Sequence, residues 1–322
     1  MGIKDRIGYQ LYEGSLQKPA RVIGKYALRK GLLGKNNAYR ALYLLFKEGK
    51  VTPEELEHYS KVFEHNLMSK KIFLMHIPKT AGTSLRTTLE EAIGVPAITS
   101  YQNETKFSAI HWDKFSFWPL LSGHVHIDYF PKTHIGITAF RESRSRVLSE
   151  YRQIERNAHL GKREIIQFFP ITTNDDGRIP WEQFRKYDLL HTFYWFFTAG
   201  HRDDWQSFIA TAPSSEIYAS IESGLKRIQT AAWSHDSDAL ESAASAILEG
   251  AVTMKRVNVF PQNEVDVIQL THDDLQILNE CTNLDDLVID VASTLGLVPK
   301  LSQSEKDALF ERDVERLGFR LP

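Results

Sequence analysis

The 322-residue chain holds a single cysteine, Cys281. An intramolecular disulfide is therefore impossible, and a fold stapled by cystines is excluded. A single cysteine fits a reducing compartment. There is no excess of one charge either: 39 Lys and Arg face 41 Asp and Glu, a formal net charge of −2. Nucleic-acid-binding domains usually carry a clear basic excess, so a nucleic-acid partner is not expected and any anion site must be local. No apolar run reaches the roughly 18 residues that suggest a membrane span. Lys4, Asp5 and Arg6 are followed by no continuous apolar stretch of the secretory kind. Arg6 stands where a myristoylation signal after Gly2 needs Ser or Thr. Asn103-Glu104-Thr105 matches a glycosylation acceptor formally, and without a secretory signal it reads as chance. The expectation is a soluble cytoplasmic protein with no transmembrane segment, and internal repeats and low-complexity tracts are absent.

What is present is ordinary globular material, 42% hydrophobic and 25% charged. A chain of this length can bury a core that needs neither disulfides nor metal. Residues 1–66 read as a helical, polar-faced N-terminal extension, whose Lys and Arg side chains suit a solvated helix packed on the main domain, with a membrane-surface or partner helix as the alternative. Thr52-Pro53-Glu54-Glu55 predicts a helix start, with Thr as N-cap, Pro in the first turn and Glu at the third position. At Lys71 the pattern changes, and residues 67–322 read as one α/β domain. Ile72-Phe73-Leu74-Met75 is a short apolar run of buried-strand type, followed by a polar loop and then Leu85, Leu89 and Ile93 at helical spacing. Residues 135–140 repeat the theme as a strand, with a helix expected over 143–157, and residues 120–125 form a short strand between the two units. Strands alternating with helices predict a parallel sheet flanked by helices. A mainly helical insert is expected at about 158–250, rich in aromatic residues that read as core packing. A last strand is expected at 257–260, then helices over 273–296 and from Ser302 to residue 317.

The loop Pro78-Lys79-Thr80-Ala81-Gly82-Thr83-Ser84 stands between the first strand and its helix. A helix N-terminus offers unpaired N–H groups and the positive end of its dipole to an anion. Gly82 lets backbone come close, Thr83 and Ser84 add hydroxyls, and Lys79 adds a mobile charge. The lysine precedes the glycine, so the usual Gly-x4-Gly-Lys-[Ser/Thr] loop of ATP and GTP hydrolases is absent. The second unit carries Arg141 at a strand end and Ser149 eight positions on, two turns up a helix. Arg suits phosphate because its planar fork meets oxygens in pairs.

His76-Ile77-Pro78-Lys79-Thr80-Ala81-Gly82-Thr83-Ser84-Leu85 resembles the 5′-phosphosulfate loop of sulfotransferases. It looks most like the branch of heparan sulfate 2-O-sulfotransferases and bacterial carbohydrate relatives. Phe140-Arg141-Glu142-Ser143-Arg144-Ser145-Arg146-Val147-Leu148-Ser149-Glu150-Tyr151 resembles that family's 3′-phosphate signature, Arg-Asp-Pro-x-x-Arg-x-x-Ser-x-Tyr. Glu142 replaces Asp and Ser143 replaces Pro, with Ser143 a candidate N-cap. The likeness covers the framework from about 71 to 157. It implies a P-loop-like fold and a sulfotransferase using 3′-phosphoadenosine-5′-phosphosulfate (PAPS) as co-substrate, with 3′,5′-adenosine bisphosphate as product. By this resemblance Lys79, Thr80, Ala81, Gly82, Thr83 and Ser84 hold the 5′ side, and Arg141 and Ser149 hold the 3′-phosphate. Lys79 also bridges to the leaving oxygen, while Arg146 and Tyr151 support the structure.

Transfer to a hydroxyl needs a base, and histidine is the natural one near neutral pH. Ser122-Gly123-His124-Val125 resembles the family's Gly-His-Val segment, whose histidine is the proposed base, and this assigns the role to His124. His111 or a carboxylate are alternatives. His124, His126 and His134 could suggest metal, but the carboxylate–histidine spacing of a metalloenzyme is missing, so none is expected. The acceptor is expected to be a hydroxyl-bearing carbohydrate or small molecule, its pocket built from 97–132 and 155–205. Arg152, Arg156, Lys162 and Arg163 are candidates for an anionic sugar or plain solvated residues. Lys255 and Arg256 could close over the nucleotide or stand as a solvated pair. Competing functions are a phosphotransferase with an atypical loop and a non-catalytic nucleotide-binding descendant.

Overall fold

The computed structural model describes residues 42–43, 45–46, 51–63, 70–99, 115–159, 179–186, 192–201, 203–255 and 267–322. Most of the N-terminal extension, His111, Lys162 and Arg163 lie outside them, as do Arg256 and the strand expected at 257–260. Helix α1 (Pro53–Phe63) begins as its sequence implies. The Glu55 carboxylate accepts from the Thr52 N–H, and the Thr52 hydroxyl accepts from the Glu55 N–H, the reciprocal bonds of a capping box.

Five parallel strands form the central sheet in the order β2-β3-β1-β4-β5. They are β1 (Ile72–Met75), β2 (Ile98–Thr99), β3 (Leu120–Gly123), β4 (Ile135–Phe140) and β5 (Ile228–Trp233). β1 is central, and its side chains alternate between two separate cores, as the period of two requires. Ile72 and Leu74 join Leu85 and Leu89 of α2 (Gly82–Ile93) and Leu240, Ala244 and Ile247 of α8 (Ser237–Leu248). Phe73 and Met75 face the opposite core, with Phe193 and Phe197 of α5 (Thr192–Phe197) and Ile221 and Leu225 of α7 (Ser214–Leu225). Val288 and Ile289 of α9 (His272–Thr294) complete that side. The result is an α/β fold with a five-stranded parallel sheet between helices.

A third core joins α3 (Ser143–His159), α4 (Trp181–Lys186), α9 and α10 (Gln303–Arg316). A small parallel pair, β6 (Ile268–Gln269) with β7 (Phe319–Arg320), closes it. Cys281 is buried there. α6 (Trp205–Thr211) lies on the side of the second core. Two further helix starts carry a capping box, Thr271 with Asp274 and Ser302 with Glu305. A third start differs. The helix after Arg141 is capped by Glu142, whose carboxylate accepts from the Ser145 N–H at 2.7 Å. Ser143, expected to cap it, instead donates its hydroxyl to Asp286 at 2.9 Å.

β5 lies inside the stretch expected to be mainly helical and pairs with β4 as a member of the main sheet. Ile-Gln-Thr-Ala-Ala-Trp carries only two bulky apolar residues, and its neighbours on both sides are helices. Cross-strand pairing rather than local propensity selects the strand state.

Arg146 ties α3 to α9 and α5, and Tyr151 packs within the third core. Arg146 is fully buried and pairs with the fully buried Asp285 at 2.9 Å, while the other Asp285 oxygen accepts from the Tyr194 N–H. Tyr151 stacks on Trp181 with 4.3 Å between ring centroids and donates its hydroxyl to the Ile179 carbonyl. Asp285→Ala leaves the arginine charge buried without its carboxylate, and a loss of about 3–5 kcal/mol is expected in urea unfolding.

Candidate functional site

β1 and β4 are neighbours whose onward connections lead to opposite edges of the sheet, β1 towards β2 and β4 towards β5. In open parallel sheets the crevice at such a switch point, beyond the carboxyl ends of the strands, is where ligands bind. Both candidate anion segments start there. The loop after β1 runs through four turn residues into α2. Lys79 (φ 66°) and Ala81 (φ 61°) are both left-handed, although neither is glycine. Each such residue costs on the order of 1–3 kcal/mol and persists only when its surroundings impose it. Turn backbone of this kind can direct successive N–H groups to one concave side, the form that accepts anions. Thr80 is buried and donates its hydroxyl to the Ile77 carbonyl at 2.9 Å, which tightens the turn. Ala81, the N-cap residue of α2, makes no side-chain capping bond, and the first turn holds no acidic residue. Thr83 is half-buried and Ser84 is buried in that turn.

Gly82 is needed for a reason that the sequence did not disclose. A Cβ built on it would stand 2.0 Å from the His76 ring. Its missing side chain seats an imidazole. Gly82→Ala is therefore expected to push His76 aside and to cost about 1–3 kcal/mol in thermal unfolding.

The Lys79 ammonium donates to the Gln153 side-chain oxygen on α3. Its pKa is lowered, mainly by burial and then by Arg141 and Arg316, while Glu150 opposes the change. Arg141, at the end of β4, is 8% exposed. Its Nε and Nη2 both donate to Asp313 Oδ2, at 3.2 and 2.7 Å, and its Nη1 donates to the Lys79 carbonyl at 3.1 Å. Three of its five N–H donors are thus used within the protein, leaving two for a ligand. Ser149 lies buried on α3, in the same helix as Gln153.

His124 follows β3 directly. Its ring lies 4.8 Å from that of His76, tilted by 31°, with Phe196 on another side. It donates to the backbone carbonyl of His76, and burial lowers its pKa to about 4. His76 is lowered to about 2, by burial first and then by His124, Arg86 and Lys79. His124 is therefore neutral at pH 7. A neutral imidazole that donates one N–H presents an acceptor at its other nitrogen. His76 thus joins the candidate base to the anion loop. The pattern of apolar residues gives no sign of this packing.

Two further histidines, His126 and His134, have structural tasks. His126 Nδ1 accepts from the Asp128 N–H, and His134 Nε2 meets the Trp118 carbonyl at 2.9 Å. Among the described residues no group of three or more His, Cys, Asp or Glu could hold a metal ion. Lys255 pairs with Glu91 at 2.8 Å, and its N–H reaches Thr88, both on the later turns of α2. Arg152 is buried against Glu155 at 2.5 Å, so it is not a solvated residue. Among the described residues no helix is long and apolar enough to cross a membrane.

The fold and the crevice together define an α/β protein with a left-handed turn loop beside a half-buried, neutral histidine. Comparison with protein families, curated proteins and solved structures finds no match to this chain.

Proposed function

We propose that the chain is a PAPS-dependent sulfotransferase, transferring a sulfuryl group to a hydroxyl acceptor, a carbohydrate or a small molecule, in the cytoplasm. The observation that carries the reading is the convergence of the two phosphate-type segments on the β1/β4 crevice, through the Arg141–Lys79 bond, with His124 reached through His76. The carbohydrate part rests on the branch that the two segments resemble, and the cytoplasmic part on the lone cysteine.

The donor set suits a nucleotide with phosphates at both ends. The N–H groups of 79–84 and the Lys79 ammonium suit the 5′-phosphosulfate. The two remaining donors of Arg141 and the Ser149 hydroxyl suit the 3′-phosphate. The co-substrate supplies an activated sulfuryl group, and the chain supplies placement and charge. Lys79 carries positive charge to the oxygen that departs, and its bond to the uncharged Gln153 is readily exchanged for one to an anion. His124 is the group that accepts the acceptor's proton. The attacking oxygen, sulfur and departing oxygen stand in line, as in phosphoryl transfer. No P-loop hydrolase chemistry is invoked, since the lysine precedes the glycine.

The test is incubation with sulfur-labelled PAPS and a panel of glycans and small hydroxyl compounds. Label transfer with release of 3′,5′-adenosine bisphosphate is expected. Phosphoryl transfer from ATP–Mg²⁺ to the same panel contradicts the reading, and favours a phosphotransferase.

A further inference from the structure

Asp313 lies on the C-terminal helix α10, 172 residues from Arg141 in sequence, yet it takes two of the arginine's bonds. The pair is almost shut off from solvent, with side-chain exposures of 9% and 5%. The other oxygen, Oδ1, accepts from Arg316 Nε at 2.9 Å, and Arg312 stands 4.0 Å away. Arg141 then spends Nη1 on the carbonyl of Lys79, a residue in left-handed backbone. The chain of contacts runs from α10 through a guanidinium to the unusual turn of the anion loop.

We infer that Asp313 is a positioning residue: it orients Arg141, and Arg141 in turn holds the Lys79 carbonyl and fixes the loop 78–84 in its anion-receptive shape. The geometry favours this over a free-standing ion pair. A guanidinium is planar, so fixing Nε and Nη2 on one carboxylate oxygen also fixes the direction of Nη1. Without that constraint the long arginine side chain samples other rotamers, and the left-handed turn loses one of the groups imposing it. A ligand's phosphate would meet Arg141 on its remaining donors and would not touch Asp313. Simple electrostatics argues the other way: removing a carboxylate from beside Arg141, Arg312 and Arg316 raises the positive potential and should tighten anion binding. The two views differ in sign, which makes the inference testable.

The consequence for the reaction rests on the proposed function, but the coupling itself does not, so the first test uses the ligand-free protein. Amide hydrogen exchange over 76–85 is compared in wild type, Asp313→Asn, Asp313→Glu and Arg316→Ala. Asn keeps the shape but loses the charge. Asp313→Asn is expected to speed exchange in the loop by about tenfold or more while β5 and α8 keep wild-type protection, the selective loss expected of a local opening. Asp313→Glu should restore much of the protection. Arg316→Ala should leave it near wild type, because Arg316 touches only Oδ1. Unchanged loop exchange in Asp313→Asn overturns the inference. So does equal loss of protection throughout the sheet with no rescue by Glu, which describes a general packing defect. If Asp313→Asn does not fold, Arg141→Lys, which keeps the charge but loses the fork that reaches the Lys79 carbonyl, takes its place, and unchanged loop exchange in that variant overturns the inference as well.

Calorimetry with 3′,5′-adenosine bisphosphate then separates the two claims. Weaker binding by Asp313→Asn than by wild type, by about tenfold, supports the positioning role. Equal or tighter binding overturns that role and leaves the proposed function standing. No binding by wild type defeats the proposed function, while the exchange result still decides the coupling.

Discussion

Lowering the pH from 7 to 4.5 is expected to remove a large part of the protein's stability. Burial depresses His76 to about 2, and His124 and His134 to about 4. All three start from an ordinary value of 6.5. A group with a folded pKa below its unfolded one binds more protons when unfolded, so stability falls as the pH drops below 6.5 and continues to fall until the folded pKa is reached. At pH 4.5 each of the three withholds about 2 to 3 kcal/mol, at 1.36 kcal/mol per pH unit. Asp285 acts in the opposite sense. Burial raises it to about 6 despite Arg146, so it takes up a proton in the folded state first and returns about 2 kcal/mol by pH 4.5. The net loss, on the order of 5 kcal/mol, is comparable to the whole stability of many domains. Urea midpoints measured at half-unit steps should fall steeply between pH 6.5 and 4.5. A flat profile there would mean that these histidines are not buried as neutral rings. Replacing His134, which is remote from the anion loop in its contacts, should flatten part of the slope and leave ligand binding intact.

The second large effect concerns chemistry. His124→Ala is expected to reduce turnover by about 10²–10⁴-fold, the usual range for loss of a general base. Affinity for 3′,5′-adenosine bisphosphate should hardly change, because no nucleotide-holding role falls to His124. Its low pKa also sets the acid limb of the rate profile. With a base of pKa about 4, wild-type activity should persist below pH 6 as far as the fold survives. Near-normal turnover in His124→Ala assigns the base elsewhere. An acid limb centred at 6.5 with an intact fold shows that the histidine is more exposed than the structure has it.

Much of this site was legible in sequence because it is local. Ile72–Met75 reads as a buried strand, the loop to Ser84 follows it, and Arg141 and Ser149 repeat the arrangement one unit later. Three features were not legible, each for a physical reason. Glu142 caps its helix through a carboxylate one methylene longer than that of Asp, whereas the ordinary preference for Ser at an N-cap points to Ser143. His76 stands in sequence as part of a motif, but its task depends on its ring filling the space beside Gly82, which only the folded backbone reveals. Asp313 sits in a helix whose sequence is otherwise that of a solvated amphipathic surface, and nothing local shows that this one carboxylate turns inward to Arg141. The two-residue strands β2, β6 and β7 are too short to carry any periodicity.

The most direct measurement is calorimetric titration of the wild-type chain and of Lys79→Ala with 3′,5′-adenosine bisphosphate, against AMP, ADP and ATP–Mg²⁺. The account predicts selective binding of the bisphosphate by wild type, weakened in Lys79→Ala by roughly tenfold or more, the scale of one charged hydrogen bond. Preference for ATP–Mg²⁺, or no binding of any of the four, would contradict it.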